Sequence, residues 1–254
     1  MISIIIPTYN RNDQLAECLA SVRANSSFDN EIIILHPLPD IEITNLCKKY
    51  KAISMIDNSR QQGRRIVSLW GIINRGIEAA KHRFVCWLND DCLVLPNWDI
   101  YGLNYFRDAP HVGLVVLRTK GIGGDPTFRT VKAFYDIDCA NYGILDKETG
   151  IRFDELFSWF YGDADIAVQA KIRYAKKVVA TIENCVIHNH LEDENRIQNE
   201  TDPRSLADQK RFEHKWKKYR YWDNAYISRN KYIQKRAITL FRRGLQTIFD
   251  RIRN

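Results

Sequence analysis

The sequence of 254 residues lacks several features that define large classes of protein. None of its six cysteines forms a C-x-x-C pair, so reduced thiols in the core are the favoured interpretation. No apolar run approaches the roughly 20 residues needed to cross a bilayer. Low-complexity segments are absent, and 45% hydrophobic with 27% charged residues is ordinary for a globular chain. This length and composition predict one large α/β domain or two intimate halves.

A signal peptide is also missing from the start of the chain. The sequence opens directly with a β-branched, strand-like run at Ile2–Pro7, where an export signal would show a basic segment followed by an apolar one. We therefore expect the protein to reside in the reducing cytoplasm.

Positive charge is concentrated at the carboxyl terminus. Residues 204–254 contain 15 Lys and Arg against 4 Asp and Glu, while the preceding 203 residues contain 23 basic and 27 acidic groups. Apolar residues within 231–252 trace one helical stripe with basic residues around it, which is typical of a helix on a membrane surface. A helix packed on its own body or on a second subunit is the alternative. Nucleic acid is the weaker third partner, because no recognised binding module accompanies the charge.

Short apolar runs alternate with helical stripes along most of the chain. This alternation predicts a parallel sheet with helices on both faces. From residue spacing we expect strands at 2–6, 31–35, 52–56, 84–88, 112–117, 178–182 and 185–188, and helices at 13–22, 41–50, 66–80 and 163–175.

The most informative motif is Asn89-Asp90-Asp91, which follows the apolar run 83–88. Open α/β sheets bind ligands at the carboxyl ends of their strands, where this motif lies. Two adjacent carboxylates repel each other unless a cation lies between them, and a divalent metal that holds a diphosphate would supply that charge. A turn with two solvated acids is the alternative interpretation.

Four segments in order resemble the family 2 glycosyltransferases of GT-A fold. They are Ile4-Ile-Ile-Pro-Thr-Tyr-Asn-Arg11, Asn74-Arg-Gly-Ile77, Asn89-Asp90-Asp91, and Phe153-Asp-Glu155 with Tyr161-Gly-Asp-Ala-Asp-Ile166. The resemblance covers residues 2 to about 190. It implies a metal-dependent, inverting glycosyltransferase that moves a sugar from a nucleotide-sugar donor to a saccharide or lipid-linked glycan, as in polysaccharide or cell-envelope biosynthesis. It also implies one Rossmann-like, mainly parallel sheet. The helical character of the residues from Ser205 onward predicts a C-terminal helical extension.

The resemblance divides the chain by role. Residues 1–98 would form the nucleotide-sugar-binding half and 99–190 the acceptor-binding half of one GT-A domain. Beyond the resemblance, the polar composition of residues 191–204 predicts a flexible loop that connects these halves to the basic helical extension at 205–254. We expect that extension to make either a peripheral membrane contact at the inner face or a homodimer.

The same resemblance implies roles for individual residues. Asp163 is the expected catalytic base, with helix capping as its alternative role. For Mn²⁺ or Mg²⁺, Asp91 is the first expected ligand, and His188 is preferred over His190 as the second. Donor-binding residues are expected at Pro7, Thr8, Tyr9, Arg11, His36, Arg65, Asn74, Asn89 and Asp90, and acceptor-binding residues at Trp159, Gly162 and Asp165.

Two residues depart from the family pattern. Asn89 replaces the first acid of the D-x-D motif, which removes one negative charge beside the metal. His36 replaces an acid that reads the nucleotide base. Tyr9 and Trp159 each have core packing as an alternative role, and Asp165 has the alternative role of steadying its turn.

Two other functions compete with the transferase. A nucleotidyltransferase that makes nucleotide sugars would require a glycine-rich loop after the first strand, but residues 7–11 contain no glycine. A non-catalytic relative that acts as a binding protein is the second alternative, and it rests on His36 and Asn89.

Overall fold

The central feature of the fold is one eight-stranded sheet that draws strands from both halves of the chain. A computed structural model describes residues 1–57, 68–121, 127–134, 136–189 and 202–217. In these residues the strands are β1 (Ile2–Pro7), β2 (Glu31–His36), β3 (Ile53–Ile56), β4 (Phe84–Trp87), β5 (Cys92–Val94), β6 (Val112–Lys120), β7 (Val131–Phe134), β8 (Ile137–Cys139), β9 (Gly143–Asp146) and β10 (Lys177–His188). The helices are α1 (Asn12–Asn25), α2 (Ile41–Tyr50), α3 (Leu69–Ala79), α4 (Trp98–Asp108), α5 (Gly162–Ile172) and α6 (Pro203–Trp216).

The sheet has the strand order β3-β2-β1-β4-β9-β6-β10-β5. Neighbouring strands pair in parallel except where β9 lies between β4 and β6, and where β5 pairs with β10. Six strands therefore point the same way, and their carboxyl ends form one edge. The predicted α/β architecture with a mainly parallel sheet is confirmed.

Burial on both faces of the sheet explains the apolar composition of its central strands. In β1, Ile2, Ile4, Ile5 and Ile6 are all fully buried, as expected for a parallel strand covered by helices on each face. Helix α3 lies so close to this strand that a Cβ atom at Gly76 would come within 2.6 Å of Ile5 Cγ2. A glycine at this position is therefore required by helix–sheet packing.

Several predicted elements differ from those in the structure. The two strands expected at 178–182 and 185–188 are one strand, β10, whose pairing with β6 has register shifts. Helix α4 and the strands β5, β7, β8 and β9 were not expected. Helix α6 begins at Pro203, within the predicted loop 191–204; residues 191–201 of that loop lie outside the described residues.

The described residues also test the predictions about reduced thiols and about membrane-spanning helices. It includes all six cysteines, and each is buried and free of disulfide bonds. Within the same ranges, no helix has both the length and the apolarity required to cross a bilayer. The amphipathic helix predicted at 231–252 lies outside the described residues.

Candidate active site

The acidic motif forms the loop between β4 and β5, at the carboxyl edge of the sheet. Asp90 and Asp91 are only 5% and 8% exposed. The interpretation as a turn with two solvated acids is therefore wrong. Two buried carboxylates side by side need compensating charge from the protein or from a bound cation.

Arg11 supplies part of that charge from the loop that follows β1. Its Nη1 atom lies 3.2 Å from Oδ1 of Asp90 and 3.3 Å from Oδ2 of Asp91. The Thr8 hydroxyl donates a hydrogen bond of 2.9 Å to Oδ2 of Asp90. Strand β1 thus delivers two of the predicted donor-binding residues, Thr8 and Arg11, directly against the acidic motif.

The two carboxyl groups of the motif differ in their acidity. Burial raises the pKa of Asp90 to about 6, against the opposing charge of Arg11 and with a further increase from Asp91. Burial also acts to raise the pKa of Asp91, but the nearby His188 and Arg11 outweigh it and lower that pKa overall. Asp91 is therefore the member of the pair that stays ionised over the wider pH range.

His188 ends β10 and lies beside Asp91. Antiparallel pairing places His188 opposite Cys92, the residue that follows Asp91, and the Asn189 N–H donates to the Asp91 carbonyl at 2.9 Å. As a result, Nε2 of His188 lies 3.1 Å from Oδ1 of Asp91. The structure thus brings together the two residues predicted as metal ligands.

The donor set at this point fits a divalent cation. Oδ1 of Asp91 is buried and has no hydrogen-bond partner among the described residues, although His188 Nε2 is close enough for ion pairing. Potential ligand atoms of Asp91, His188 and Cys92 all lie within 4.8 Å of one another. A carboxylate and an imidazole suit Mn²⁺, and the carboxylate also suits Mg²⁺. The Cys92 thiol is a further donor at ligand distance that the sequence did not suggest.

A buried phenol, that of Tyr142, packs beside this cluster. Tyr142 lies next to β9, receives a hydrogen bond of 3.0 Å from the amide of Asn89, and packs edge-on against His188 with ring centroids 5.6 Å apart. Burial raises the pKa of Tyr142 well above its usual value, and the charges of Asp91 and Asp163 both add to that increase. The charges of both carboxylates therefore disfavour ionisation of the same buried phenol.

Asp163 is the second residue of α5 and does not cap it. The N-cap position belongs to Tyr161, whose φ is 67° and whose side chain makes no capping hydrogen bond. Oδ2 of Asp163 accepts a hydrogen bond from the Cys139 thiol at 3.3 Å. The capping alternative is wrong for this residue, and its role as a base stays a prediction.

Two residues predicted to bind the donor are committed to contacts within the protein. Both ring nitrogens of the buried His36 are engaged, Nδ1 at 2.6 Å from the Leu38 carbonyl and Nε2 at 2.7 Å from the Ser54 hydroxyl. The buried amide of Asn74 exchanges hydrogen bonds of 2.9 and 3.0 Å with the backbone of Phe153. We therefore remove His36 and Asn74 from the donor site, because their polar atoms already hold the β2–α2 turn and the backbone of Phe153.

Two of the expected acceptor residues are also structural. Asp165 is fully buried and accepts from Lys215 at 2.8 Å and from Trp216 Nε1 at 2.9 Å, so it faces helix α6. At Gly162 a Cβ atom would lie 2.3 Å from the Trp70 ring, which shows that the glycine permits close packing. Neither residue presents a side chain to an acceptor. Asp165 takes the alternative role of steadying this part of the chain.

The remaining expected residues fall into two groups. Tyr9 follows β1 and is 43% exposed, so its alternative role in the core is wrong. Pro7 lies just before it, at the same edge of the sheet. Trp159 lies before α5 and is half-buried. Arg65 and His190 lie outside the described residues.

Sequence reasoning missed one buried acid at the same edge, Asp57. Asp57 follows β3 directly, is buried, and accepts a hydrogen bond of 2.6 Å from Nη2 of Arg75. Its N–H donates to the His36 carbonyl, so it lies beside the end of β2. The signal was available, because Asp57 is an acid at the end of a strand, as Asp90 is.

Comparison with known proteins identifies the family. Residues 3–176 match the family described as Glycosyl transferase family 2, which is more than half of the chain. A search of curated proteins gave no significant match.

Solved structures show the same fold at low sequence identity. TarS of S. aureus is 14% identical with a TM-score of 0.55, and the alignment covers 83% of this chain and 72% of that one. The mannosyltransferase PcManGT of Pyrobaculum calidifontis, crystallised with GDP-Man and Mn²⁺, is 11% identical with a TM-score of 0.58, covering 78% and 59%. Glucosyl-3-phosphoglycerate synthase of Mycobacterium tuberculosis, crystallised with Mn²⁺, UDP and glucosyl-3-phosphoglycerate, is 11% identical with a TM-score of 0.59, covering 82% and 77%.

The family match, the GT-A-like sheet and the acidic motif at its carboxyl edge agree with one another. The chain belongs to glycosyl transferase family 2 and is an enzyme that transfers a sugar from a nucleotide-sugar donor.

Proposed function

We propose that this enzyme is a metal-dependent, inverting glycosyltransferase whose acceptor is a hydroxyl group of a saccharide or lipid-linked glycan. The observation that carries the proposal is Oδ1 of Asp91, a buried oxygen that has no hydrogen bond among the described residues and that lies 3.1 Å from Nε2 of His188. Strand ends that belong to distant parts of the sequence build this pair.

The donor side of the proposal rests on β1 and β4. Asp91 and His188 would hold a divalent cation, and two structural neighbours were crystallised with Mn²⁺. Bound there, the cation supplies Lewis-acid stabilisation of the charge on the departing nucleoside diphosphate. Arg11 keeps the two aspartates in place through its contacts with both of them, and the exposed ring of Tyr9 would stack on the nucleotide base.

Asp163 would act on the acceptor side. A hydroxyl group is a weak nucleophile until its proton is removed, and a carboxylate within hydrogen-bond reach can remove it. In the proposed step the acceptor oxygen forms a bond to the anomeric carbon while the bond from that carbon to the phosphate oxygen breaks. The bonding electrons leave with the nucleoside diphosphate, and the acceptor proton passes to Asp163. Direct displacement of this kind inverts the anomeric configuration.

A donor panel tests the proposal. Purified full-length protein would be incubated with UDP- and GDP-sugars and Mn²⁺, and the release of nucleoside diphosphate measured with water as the acceptor. We expect slow hydrolysis of one donor class, which EDTA abolishes. Release of pyrophosphate would instead support a nucleotidyltransferase. If calorimetry detects no donor binding with or without Mn²⁺, the non-catalytic alternative is correct.

The variant D163N tests the catalytic role. It should bind the donor as tightly as the wild type, because the amide keeps the shape of the side chain. Its turnover should fall by about 10²–10⁴-fold, since the proton acceptor is lost. Turnover close to the wild-type value would remove Asp163 from the role of base.

A further inference from the structure

Helix α6 lies beyond the residues that match the family, yet its buried face packs on the segment that precedes Asp163. The family match ends at residue 176, and α6 begins at Pro203. The buried side chains recur at helical spacing: Ser205, Asp208, Phe212 and Trp216.

Asp208 makes the first connection. Its fully buried carboxylate accepts hydrogen bonds from three successive backbone N–H groups, those of Ser158 at 2.9 and 3.0 Å, Trp159 at 3.0 Å and Phe160 at 3.3 Å. Arg211 neutralises it at 2.8 Å from the next turn of the helix. Three consecutive donors that converge on one buried acceptor fix the backbone conformation of that loop.

The end of α6 makes the second connection. Lys215 Nζ lies 2.6 Å from Asp154 and 2.8 Å from Asp165, and the Trp216 indole donates to Asp165 at 2.9 Å. Phe212 packs beside Tyr161, with ring centroids 5.6 Å apart. The stretch 154–165 is thus held at its start, in its middle and two residues past Asp163.

We propose that Asp208 is a positioning residue for Asp163, and that α6 determines the position and orientation of the Asp163 carboxylate relative to the donor. This inference rests on the proposed function, in which Asp163 takes the acceptor proton. A base must lie within hydrogen-bond reach of the proton it removes, and a displacement of about 1 Å can reduce the rate by 10²-fold. The acidic motif is held separately, by Thr8 and Arg11 after β1.

A matched control exists within the same chain. Asp99 is equally buried and also accepts from consecutive backbone N–H groups, those of Ser27 and Phe28 at 3.0–3.2 Å. The loop that it holds precedes β2, at the amino edge of the sheet and therefore at the end opposite the site. D99N and D208N each remove the charge of a buried carboxylate that holds consecutive backbone N–H groups, at opposite edges of the sheet; Asp208 differs in that it also pairs with Arg211.

The first measurement is amide hydrogen exchange on the full-length variants. In D208N, exchange should accelerate at residues 158–160 and extend towards Asp163, while residues 27–28 stay as in the wild type. In D99N, exchange should accelerate at residues 27–28 and stay as in the wild type at residues 158–160. Unchanged protection of 158–160 in D208N would overturn the proposal, because the loop would then be held without Asp208.

The second measurement is hydrolysis of the donor found in the panel, with water as the acceptor. D208N should lower kcat by about 10–100-fold with an unchanged donor KM. D99N should leave kcat within about twofold of the wild type, even if its Tm decreases as much as that of D208N. Combined with D163N, D208N should cause no further loss, because its effect passes through the base. Additive losses, or an equal kcat effect in D99N, would show that Asp208 is only structural.

A milder variant covers the case in which D208N does not fold. W216F keeps an aromatic ring in place but loses the hydrogen bond to Asp165, so it should reproduce a smaller kcat loss in the same cycle. If the wild-type protein hydrolyses no donor, the proposed function fails; hydrogen exchange then still decides whether Asp208 holds the loop.

Discussion

Replacing Lys215 with Met should lower the free energy of unfolding, because Asp154 and Asp165 would lose the cation that neutralises them. Methionine keeps most of the stem that packs near Phe157 and Trp216, where Nζ lies 5.4 and 5.5 Å from the ring centroids. It removes the only ammonium that contacts both Asp154 and Asp165 among the described residues. Breaking a buried ion pair by removing one partner typically costs 3–5 kcal/mol, so we expect K215M to lose about that much at pH 7.5.

The pH dependence of this loss has a definite sign. Burial raises the pKa of Asp165 in the folded protein, although Lys215 opposes this increase. At pH values above the pKa of Asp165 in the unfolded chain, ionising this group therefore lowers the stability of the fold. Burial acts to raise the pKa of Asp154 too, but Lys215 outweighs it and lowers that pKa, so Asp154 adds stability that is lost as the pH falls through the folded pKa. Without Lys215 both groups are harder to ionise. The K215M penalty should therefore be large at neutral pH and shrink as the pH falls and the carboxyl groups are protonated.

Urea denaturation at pH 7.5 and pH 4.5, followed by tryptophan fluorescence, measures both values. K210M, a lysine on the same helix without a buried carboxylate partner in the described structure, is the control and should change stability by less than about 0.5 kcal/mol. Equal losses for K215M at the two pH values would refute the electrostatic argument. The cause would then be lost packing.

Three further predictions concern the metal, the packing of α5 and the basic tail. D91N should abolish Mn²⁺ binding by calorimetry, whereas C92S should keep it within about twofold, because Mn²⁺ favours oxygen and nitrogen ligands over sulfur. A loss of Mn²⁺ affinity in C92S as large as that in D91N would contradict this. G162A should cost about 1–3 kcal/mol because its Cβ would overlap the Trp70 ring, while G71A, which meets only the flexible end of Glu155 at 3.2 Å, should not; equal Tm values would refute the packing argument. Deleting residues 231–254 should reduce binding to anionic liposomes and leave donor hydrolysis unchanged, whereas unchanged liposome binding would favour an oligomeric role for the tail.

The end of a strand was a reliable guide to position. Asp90 and Asp91 were predicted at the sheet edge from an apolar run followed by acids, whereas His188 was expected from the family resemblance. The shared direction of β4 and β10 brings all three residues to one edge. The same rule applied to Asp57 would have found the pair that it makes with Arg75.

The direction in which a polar side chain points was not predictable. His36 and Asn74 lie near the sheet edge but turn inward, because Ser54 and the backbone of Phe153 offer them partners that are distant in sequence. Asp165 is buried because of Lys215 and Trp216, which lie 50 and 51 residues later in the chain. Such contacts depend on tertiary packing, and local residue patterns do not encode them.

Strand β9 shows the same limit for the fold. It is four residues long, begins with Gly143 and ends with Asp146, so it has no strong alternation. It forms only because β4 and β6 are spaced to receive it as an antiparallel strand between them.

The position of β10 has a consequence for how the enzyme matures. Asp91 is synthesised early, but its partner His188 ends a strand that must pair with both β6 and β5, almost one hundred residues later. Contacts so distant in sequence form late, because a large loop must close before they are made. A nascent chain that has folded only its first strands would present the acidic motif without its imidazole partner. Metal affinity should therefore appear only after β10 has paired with β6 and β5.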